Sequence, residues 1–114
     1  MTLQDVIDQL QLKVLTQTAD FSKVEPTGGY TSDLLSCVMA GAQHAGIWVT
    51  LQAHINIVAV AALLELSAVI ITENSQPDSS TIAKANQEGV VLLSSNKTSF
   101  QITGKRWEMG LRAD

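Results

Sequence analysis

Hydrogen-bonding side chains are concentrated in three short stretches of this sequence, and each stretch directly follows an apolar run. The stretches are Thr50-Leu51-Gln52-Ala53-His54, Thr72-Glu73-Asn74-Ser75 and Ser94-Ser95-Asn96-Lys97-Thr98. In an open parallel sheet, ligands bind beyond the carboxyl ends of the strands, close to helix N-termini. If the apolar runs are strands of such a sheet, their polar ends converge on one edge and can bind a small molecule there.

The candidate ligand-binding residues come from these strand ends and from the turn and helix start before the first of them. Residues 26–33 read PTGGYTSD, and a glycine pair before a helix lets backbone N–H groups approach an anion. His54 stands out because it lies between an apolar strand and an apolar helix. The full set is Thr50, Gln52, His54, Asn56, Thr72, Glu73, Asn74, Ser94, Thr98, Gly28, Gly29, Ser32 and Asp33.

The same residue types also have a purely structural interpretation. Serine, threonine and asparagine cap helices and fill polar loops. Ser32 and Asp33 suit the N-terminus of a helix, and His54 can be a structural histidine with hydrogen-bonded ring nitrogens. Both interpretations stay open at the level of sequence.

No known catalytic constellation is recognisable. Gly28-Gly29 lacks the GxGxxG spacing, and the sequence contains no Gly-x4-Gly-Lys-Ser/Thr phosphate loop. Cys37, His44 and His54 lack the close spacing of zinc ligands, so we predict no metal and no other cofactor. Cys37 is flanked by apolar residues of a predicted helix and is expected to be buried. The remaining enzymatic hypothesis is acid/base catalysis by His54.

Alternating helix and strand patterns must position these residues. The first helix begins at a cap formed by Thr2 and Asp5, a short strand follows at 13–15, and residues 20–31 are rich in turn formers, with an extended piece near Val24. From residue 32 onward, helices at 32–43, 57–66, 80–88 and 98–111 alternate with strands at 47–51, 69–72 and 90–93. We therefore predict a three-layer α/β/α fold around a mostly parallel sheet of about four to five strands.

Several helix ends and faces can be read from the same patterns. Thr31 or Ser32 is predicted to cap the second helix, Asn56 the third, and Thr98 with Gln101 the last. Pro77-Asp78-Ser79 is predicted to open the fourth helix, which Gly89 ends. The third helix has no polar face, which predicts burial within the domain or in an oligomer interface. The predicted buried stripe of the second helix is Leu34, Leu35, Val38, Met39 and Ala42.

Length and charge limit the classes of partner. A chain of 114 residues is expected to form one domain over residues 1–114. Its net charge of −4 argues against nucleic acid as a partner. Four basic residues near the C-terminus are interpreted as a solvated helix face with cations near the helix end; they are Lys97, Lys105, Arg106 and Arg112.

Hydropathy and cysteine content predict the compartment. Residues 34–64 carry no Lys, Arg, Asp or Glu, but the longest clean apolar run, 57–64, has only 8 residues. A bilayer crossing needs about 20, so no membrane partner is expected. The single cysteine suits a reducing cytoplasm, and the N-terminus lacks the pattern of a signal peptide.

Most of the chain, roughly residues 3–112, resembles a stand-alone DRTGG domain. The resemblance rests on GGYTSDLLS at 28–36, WVTLQAH at 48–54, NIVAVA at 56–61, AVIIT at 68–72, Pro77-Asp78 and EGV at 88–90. It implies a compact α/β/α domain similar to the N-terminal domain of bacterial HPr kinase/phosphorylase. Related copies occur inside phosphotransacetylases and between CBS domains of regulatory pyrophosphatases, as non-catalytic modules often found at a dimer interface.

One departure from the family pattern falls on the candidate site. The Asp-Arg-Thr-Gly-Gly motif does not occur, and the strand end where it belongs reads Gln52-Ala53-His54. The resemblance predicts a non-catalytic, cytoplasmic regulatory or interaction module. We expect it to be a homodimer with a nucleotide-like or anionic small ligand at the C-terminal strand ends. The alternatives are a scaffold for another protein without a ligand, and a small enzyme that uses His54.

Overall fold

The computed structural model describes residues 1–111 of the chain. Its strands are β1 (Lys13–Val14), β2 (Gly29–Thr31), β3 (Ile47–Thr50), β4 (Ala68–Ile71) and β5 (Leu92–Ser94). Its α-helices are α1 (Leu3–Leu10), α2 (Leu35–Gly41), α3 (Asn56–Leu63), α4 (Ser79–Glu88) and α5 (Ser99–Glu108), with a 3-10 turn at Phe21–Lys23. The strands form one five-stranded sheet in the order β1-β5-β4-β3-β2. All neighbouring pairs are parallel except β1 with β5.

Helices cover both faces of this sheet. Val49 and Ile70 lie in a core shared with the buried residues of α1 and α5, whereas Trp48 and Val69 lie in a second core with those of α2, α3 and α4. Every residue of β3, β4 and β5 is therefore buried. Burial on both faces explains why the strands read as continuous apolar runs, and the predicted α/β/α fold class is confirmed.

Helix-end signals in the sequence are reproduced at three helices. Thr2 with Asp5 and Thr98 with Gln101 form reciprocal capping boxes at α1 and α5. The Asp78 side chain accepts a hydrogen bond at the start of α4. Gly89 ends α4 at φ 71°, a left-handed conformation that glycine adopts without steric cost.

The region around the double glycine differs from the prediction. Residues 29–31 form an edge strand in parallel register with residues 47–49, instead of a turn that leads into a helix. Because this pairing keeps Thr31 extended, α2 begins only after Leu34, which makes no side-chain capping bond. The prediction that Thr31 or Ser32 caps α2 was therefore wrong. The Ser32 hydroxyl instead accepts a hydrogen bond from the Leu34 N–H.

Helix α2 is also less buried than its sequence suggested. Only Val38 of the predicted stripe is fully buried, while Leu34 and Met39 are exposed. Cys37 is exposed too, which corrects the expectation of a buried thiol. The reason is position: α2 packs beside α3 and the short edge strand β2, so few of its side chains reach the sheet.

Helix α3 combines a buried face with an exposed one. Ile57, Val58 and Ala61 are buried, but the Leu63 side chain is 67% exposed. The prediction that Asn56 caps this helix was wrong, because Asn56 is its first residue and Ile55 holds the cap position; the Asn56 N–H donates to Nδ1 of His54. The helix ends at Leu63 rather than at residue 66. Within residues 1–111, no helix has the length and apolarity that a bilayer crossing requires.

Replacement of Thr98 by alanine tests the cap of α5. The variant loses the acceptor for the Gln101 N–H, so we expect its free energy of unfolding to fall by about 1 kcal/mol in urea titrations. Thr18→Ala is the matched control, since Thr18 is exposed and no hydrogen bond of its side chain is seen among residues 1–111. Equal losses in the two variants would contradict the cap.

Candidate ligand site at the carboxyl ends of the strands

The loop after β3 is held by the carboxylate of Asp33. Its Oδ1 accepts hydrogen bonds from the Thr50 hydroxyl and from the Leu51 N–H, both at 2.8 Å. The Gln52 N–H donates to Thr50 Oγ1 at 3.1 Å, and its side-chain amide donates to the Asp33 carbonyl, also at 3.1 Å. Three predicted site residues thus satisfy one another, and their polar groups fix the path of the chain beyond β3.

His54 is exposed at the start of α3. Its Nδ1 accepts a hydrogen bond from the Asn56 N–H at 3.2 Å, so the neutral ring carries its proton on Nε2. The backbone N–H of Thr81 is the main cause that lowers the pKa of Asp78 below its usual value, and His54 makes a smaller contribution.

The end of β4 is tied to the start of α5. The hydroxyl groups of Thr72 and Ser99 are 2.6 Å apart. The carboxylate of Glu73 accepts a hydrogen bond from the Ser99 N–H at 2.8 Å. Thr98 is the cap of the same helix. These predicted site residues are consequently engaged in positioning α5.

Two consecutive residues after β4 adopt left-handed backbone conformations. Glu73 has φ 62° and Asn74 has φ 56°, values that non-glycine residues seldom adopt and that cost about 1–3 kcal/mol each where the site imposes them. Their N–H groups donate to the carbonyl groups of Lys97 and Ser95. This double turn joins the loop after β4 to the loop after β5.

A polar cleft of about 360 Å³ opens beside this double turn. Two lysines, Lys13 and Lys97, line it, and no residue with a carboxylate side chain is found among its described lining residues. The lining residues are Leu10, Gln11, Lys13, Asn74, Gln76, Ser94, Ser95, Asn96 and Lys97. Two cations surrounded by amide and hydroxyl groups suit an anionic ligand that also accepts and donates hydrogen bonds.

The structure brings most of the predicted residues to one edge of the sheet. The ends of β2, β3, β4 and β5 carry Ser32, Asp33, Thr50, Gln52, His54, Asn56, Thr72, Glu73, Asn74, Ser94 and Thr98 at that edge. Gly28 and Gly29 lie at the opposite edge, because they begin β2 beside the start of β3. Whether any of these residues binds a ligand stays a prediction.

Sequence reasoning missed the contribution of Lys13 to the cleft. Lys13 lies opposite Ser94 in the antiparallel pair of β1 and β5. No local signal in the sequence joins these two residues, which are far apart along the chain. Lys97 could have been found, since it belongs to one of the polar stretches that follow the predicted strands.

The glycine pair was expected to approach an anion, but it lies beside the side chain of Arg106. Nη2 of Arg106 donates a hydrogen bond to the Gly28 carbonyl at 3.3 Å. A Cβ atom at Gly29 would lie 1.8 Å from the same nitrogen, so any larger residue there would displace the guanidinium from this position. Arg106 is buried, which corrects its assignment to a solvated helix face. Lys105 is exposed, and Arg112 lies outside the described residues.

No cluster of three or more His, Cys, Asp or Glu side chains that could hold a metal occurs within the described part of the chain. The described acidic and imidazole groups of the candidate site serve as hydrogen-bond acceptors for backbone and hydroxyl groups instead.

Comparison with solved structures identifies a fold neighbour. The structure is similar to the CBS and DRTGG domains of the regulatory region of Clostridium perfringens pyrophosphatase, solved with its activator diadenosine tetraphosphate, at a TM-score of 0.73 and 15% sequence identity. The match covers 90% of this chain and 44% of the other, so this chain spans less than half of that regulatory region. It supports a fold like that of a DRTGG/CBS region, whereas the resemblance to HPr kinase/phosphorylase finds no support in it. No protein-family description and no curated protein matches the sequence.

The Asp33 network gives a stability prediction. Asp33→Ala leaves the buried Thr50 hydroxyl without its acceptor, and we expect a loss of about 1–3 kcal/mol in the free energy of unfolding by urea titration. Asp33→Asn, which keeps an oxygen acceptor, should lose less. Glu25→Ala serves as the control because Glu25 is exposed. An Asp33→Ala variant within about 0.5 kcal/mol of wild type would contradict the network.

Proposed function

We propose that this chain is a non-catalytic regulatory module that binds an anionic or nucleotide-like small molecule at the carboxyl ends of its strands. The observation that carries the proposal is the polar cleft between Lys13 and Lys97, which has no carboxylate among its described lining residues. In a chain of net charge −4, a cleft lined by two lysines and by no acidic residue favours a negatively charged ligand.

The hydrogen bonds within the protein indicate which residues of the polar edge are available to bind a ligand. Asp33, Thr50, Thr72 and Glu73 already pair within the protein. The residues better suited to contact a ligand are those of the cleft, with Asn74 and Ser94 as the two that the sequence also predicted. Gln52 and His54 form a second, weaker candidate subsite on the same edge.

The fold neighbour agrees with this class of function. It belongs to the regulatory region of a pyrophosphatase and was solved with a nucleotide activator, diadenosine tetraphosphate. Because identity is low, this likeness shows the fold alone, and the nucleotide enters here as a candidate ligand only. We assign no catalytic role to His54, because the hydrogen bond that its ring accepts serves to begin α3.

We further propose that the module forms a homodimer through α3. This helix leaves Leu63 67% exposed, and Leu51 and Ile55 just before it are also exposed. An apolar groove of about 310 Å³ runs along the same helix between Val58, Ala59 and α4. Exposed apolar side chains beside such a groove are typical of a surface that another protein covers.

Ligand binding is tested by thermal shift with diadenosine tetraphosphate, ATP and other phosphorylated metabolites. A ligand at about 100 times its dissociation constant should stabilise the fold by about 2.7 kcal/mol, seen as a higher Tm. Lys13→Met combined with Lys97→Met should abolish the shift, because both cations of the cleft are removed. The absence of a shift with every compound would overturn the ligand proposal.

Two control variants locate the binding site. Lys23→Met removes an exposed cation on the 3-10 turn and should keep the full shift. Gln52→Ala with His54→Ala should also keep it if the ligand occupies the cleft. Loss of the shift in that double variant, with retention in the lysine variant, would move the site to the end of β3.

The dimer is tested by sedimentation velocity. We expect wild type to sediment as a dimer at high micromolar concentration and Leu63→Glu as a monomer, because the variant places a charge in the apolar interface. Phe100→Glu is the matched control, since Phe100 is an exposed apolar residue of α5, at 89% exposure, outside the proposed surface. A wild-type monomer, or a dimer unaffected by Leu63→Glu, would contradict the proposal.

A further inference from the structure

Among residues 1–111, Arg106 is a buried cation without a counter-ion. It is 2% exposed, and the ion pairs seen in this part of the chain do not include it. Its Nη2 donates a hydrogen bond to the Gly28 carbonyl at 3.3 Å, and its Nε finds no acceptor among the described residues. Burial of an unpaired charge is costly, and native structures normally supply a partner for it.

The guanidinium stays protonated despite this burial. Loss of solvent lowers the pKa of Arg106 to about 10, which is still well above neutral pH. Gly29 provides part of the space, because a Cβ atom there would overlap the guanidinium in its present position.

A cavity of about 200 Å³ lies beside Arg106, between the edge strand β2 and α5. The hydroxyl groups of Thr31 and Thr103, which are 2.8 Å apart, form part of its wall. Tyr30, Trp107 and Leu111 supply aromatic and apolar surface, and no acidic residue is found among the described lining residues. The cavity thus combines one cation and two hydroxyl groups with an apolar wall.

We propose that this cavity is a second binding site, which takes a carboxylate or phosphoryl group carried on a small apolar or aromatic body. Arg106 supplies the charge for the oxyanion, and the two threonine hydroxyl groups lie within the same cavity to add hydrogen bonds. The apolar body contacts Tyr30 and Trp107. The site lies on the free edge of β2 and shares no residue with the cleft between Lys13 and Lys97.

The experiment follows the Nε–H resonance of Arg106 by NMR in the isotope-labelled wild-type chain of 114 residues. The probes are benzoate, phenyl phosphate and inorganic phosphate, with benzamide as an uncharged analogue of benzoate. We expect a saturable shift of this resonance by benzoate or phenyl phosphate, with a dissociation constant of about 1 mM or lower. Comparison of the two distinguishes a carboxylate from a phosphoryl ligand, and inorganic phosphate should bind at least about tenfold more weakly because it lacks the apolar body.

Variants separate the role of Arg106 from general charge. Lys105→Met removes the exposed neighbouring cation of α5 and should leave binding unchanged. Arg106→Lys keeps the charge without the planar donor pair and should weaken binding about tenfold, read from the Trp107 indole resonance. Thr103→Val keeps the volume and loses one hydroxyl group, which should weaken binding severalfold and tests the site even if the Arg106 variant does not fold.

Three results would overturn the proposal. The first is no saturable shift of the Arg106 resonance with any of the three anions. The second is an equal shift with benzamide, which would show that charge is not recognised. The third is a shift that depends on protein concentration and not on the probes, which would assign the counter-ion to an acidic group of a second copy of the chain.

Discussion

The burial of both faces of the parallel strands is the constraint on which this structure depends. All residues of β3, β4 and β5 are buried, so helices must lie on each side of the sheet. Parallel pairing in turn points the carboxyl ends of these strands the same way. The concentration of polar side chains at one edge is thus a consequence of the way in which the apolar core is built.

Some polar residues at that edge form hydrogen bonds with one another or with the backbone. At the end of β3, the carboxylate of Asp33 holds Thr50 and Leu51, and at the end of β4, Thr72 and Glu73 hold the start of α5. The structural interpretation of the sequence therefore applies to Asp33, Thr50, Thr72 and Glu73, whose hydrogen bonds shape the loops. Lys13 and Lys97 line the cleft beside β1 and β5, where ligand binding stays a proposal.

The glycine pair at the start of β2 has a different role from the one that its sequence suggests. The glycine pair resembles an anion loop in sequence, yet the missing side chain of Gly29 leaves room for the Arg106 guanidinium. Burial of a cation that has no ion-pair partner among residues 1–111 costs folding free energy, and the proposed second site would supply an anionic partner for it.

The sequence by itself determined the α/β/α class, the three central strands and the caps of α1, α4 and α5, because these follow from local apolar runs and from hydrogen bonds that span three residues. It could not predict the edge strand β2, since three residues with two turn-forming neighbours form a strand only when β3 is beside them. Nor could it distinguish the buried Val38 from the exposed Leu34 and Met39 on α2.

Only the tertiary structure determined where the charged side chains lie and which of them are buried. Lys13 reaches the cleft through its antiparallel pairing with Ser94, and Arg106 reaches Gly28 across 78 positions of the chain. In the sequence, Arg106 and its neighbour Lys105 are equivalent basic residues of one helix, yet one is buried and the other exposed. The physical reason is that burial of a long side chain depends on the face of the helix that meets the sheet, and that face is selected by packing between distant segments rather than by local propensity.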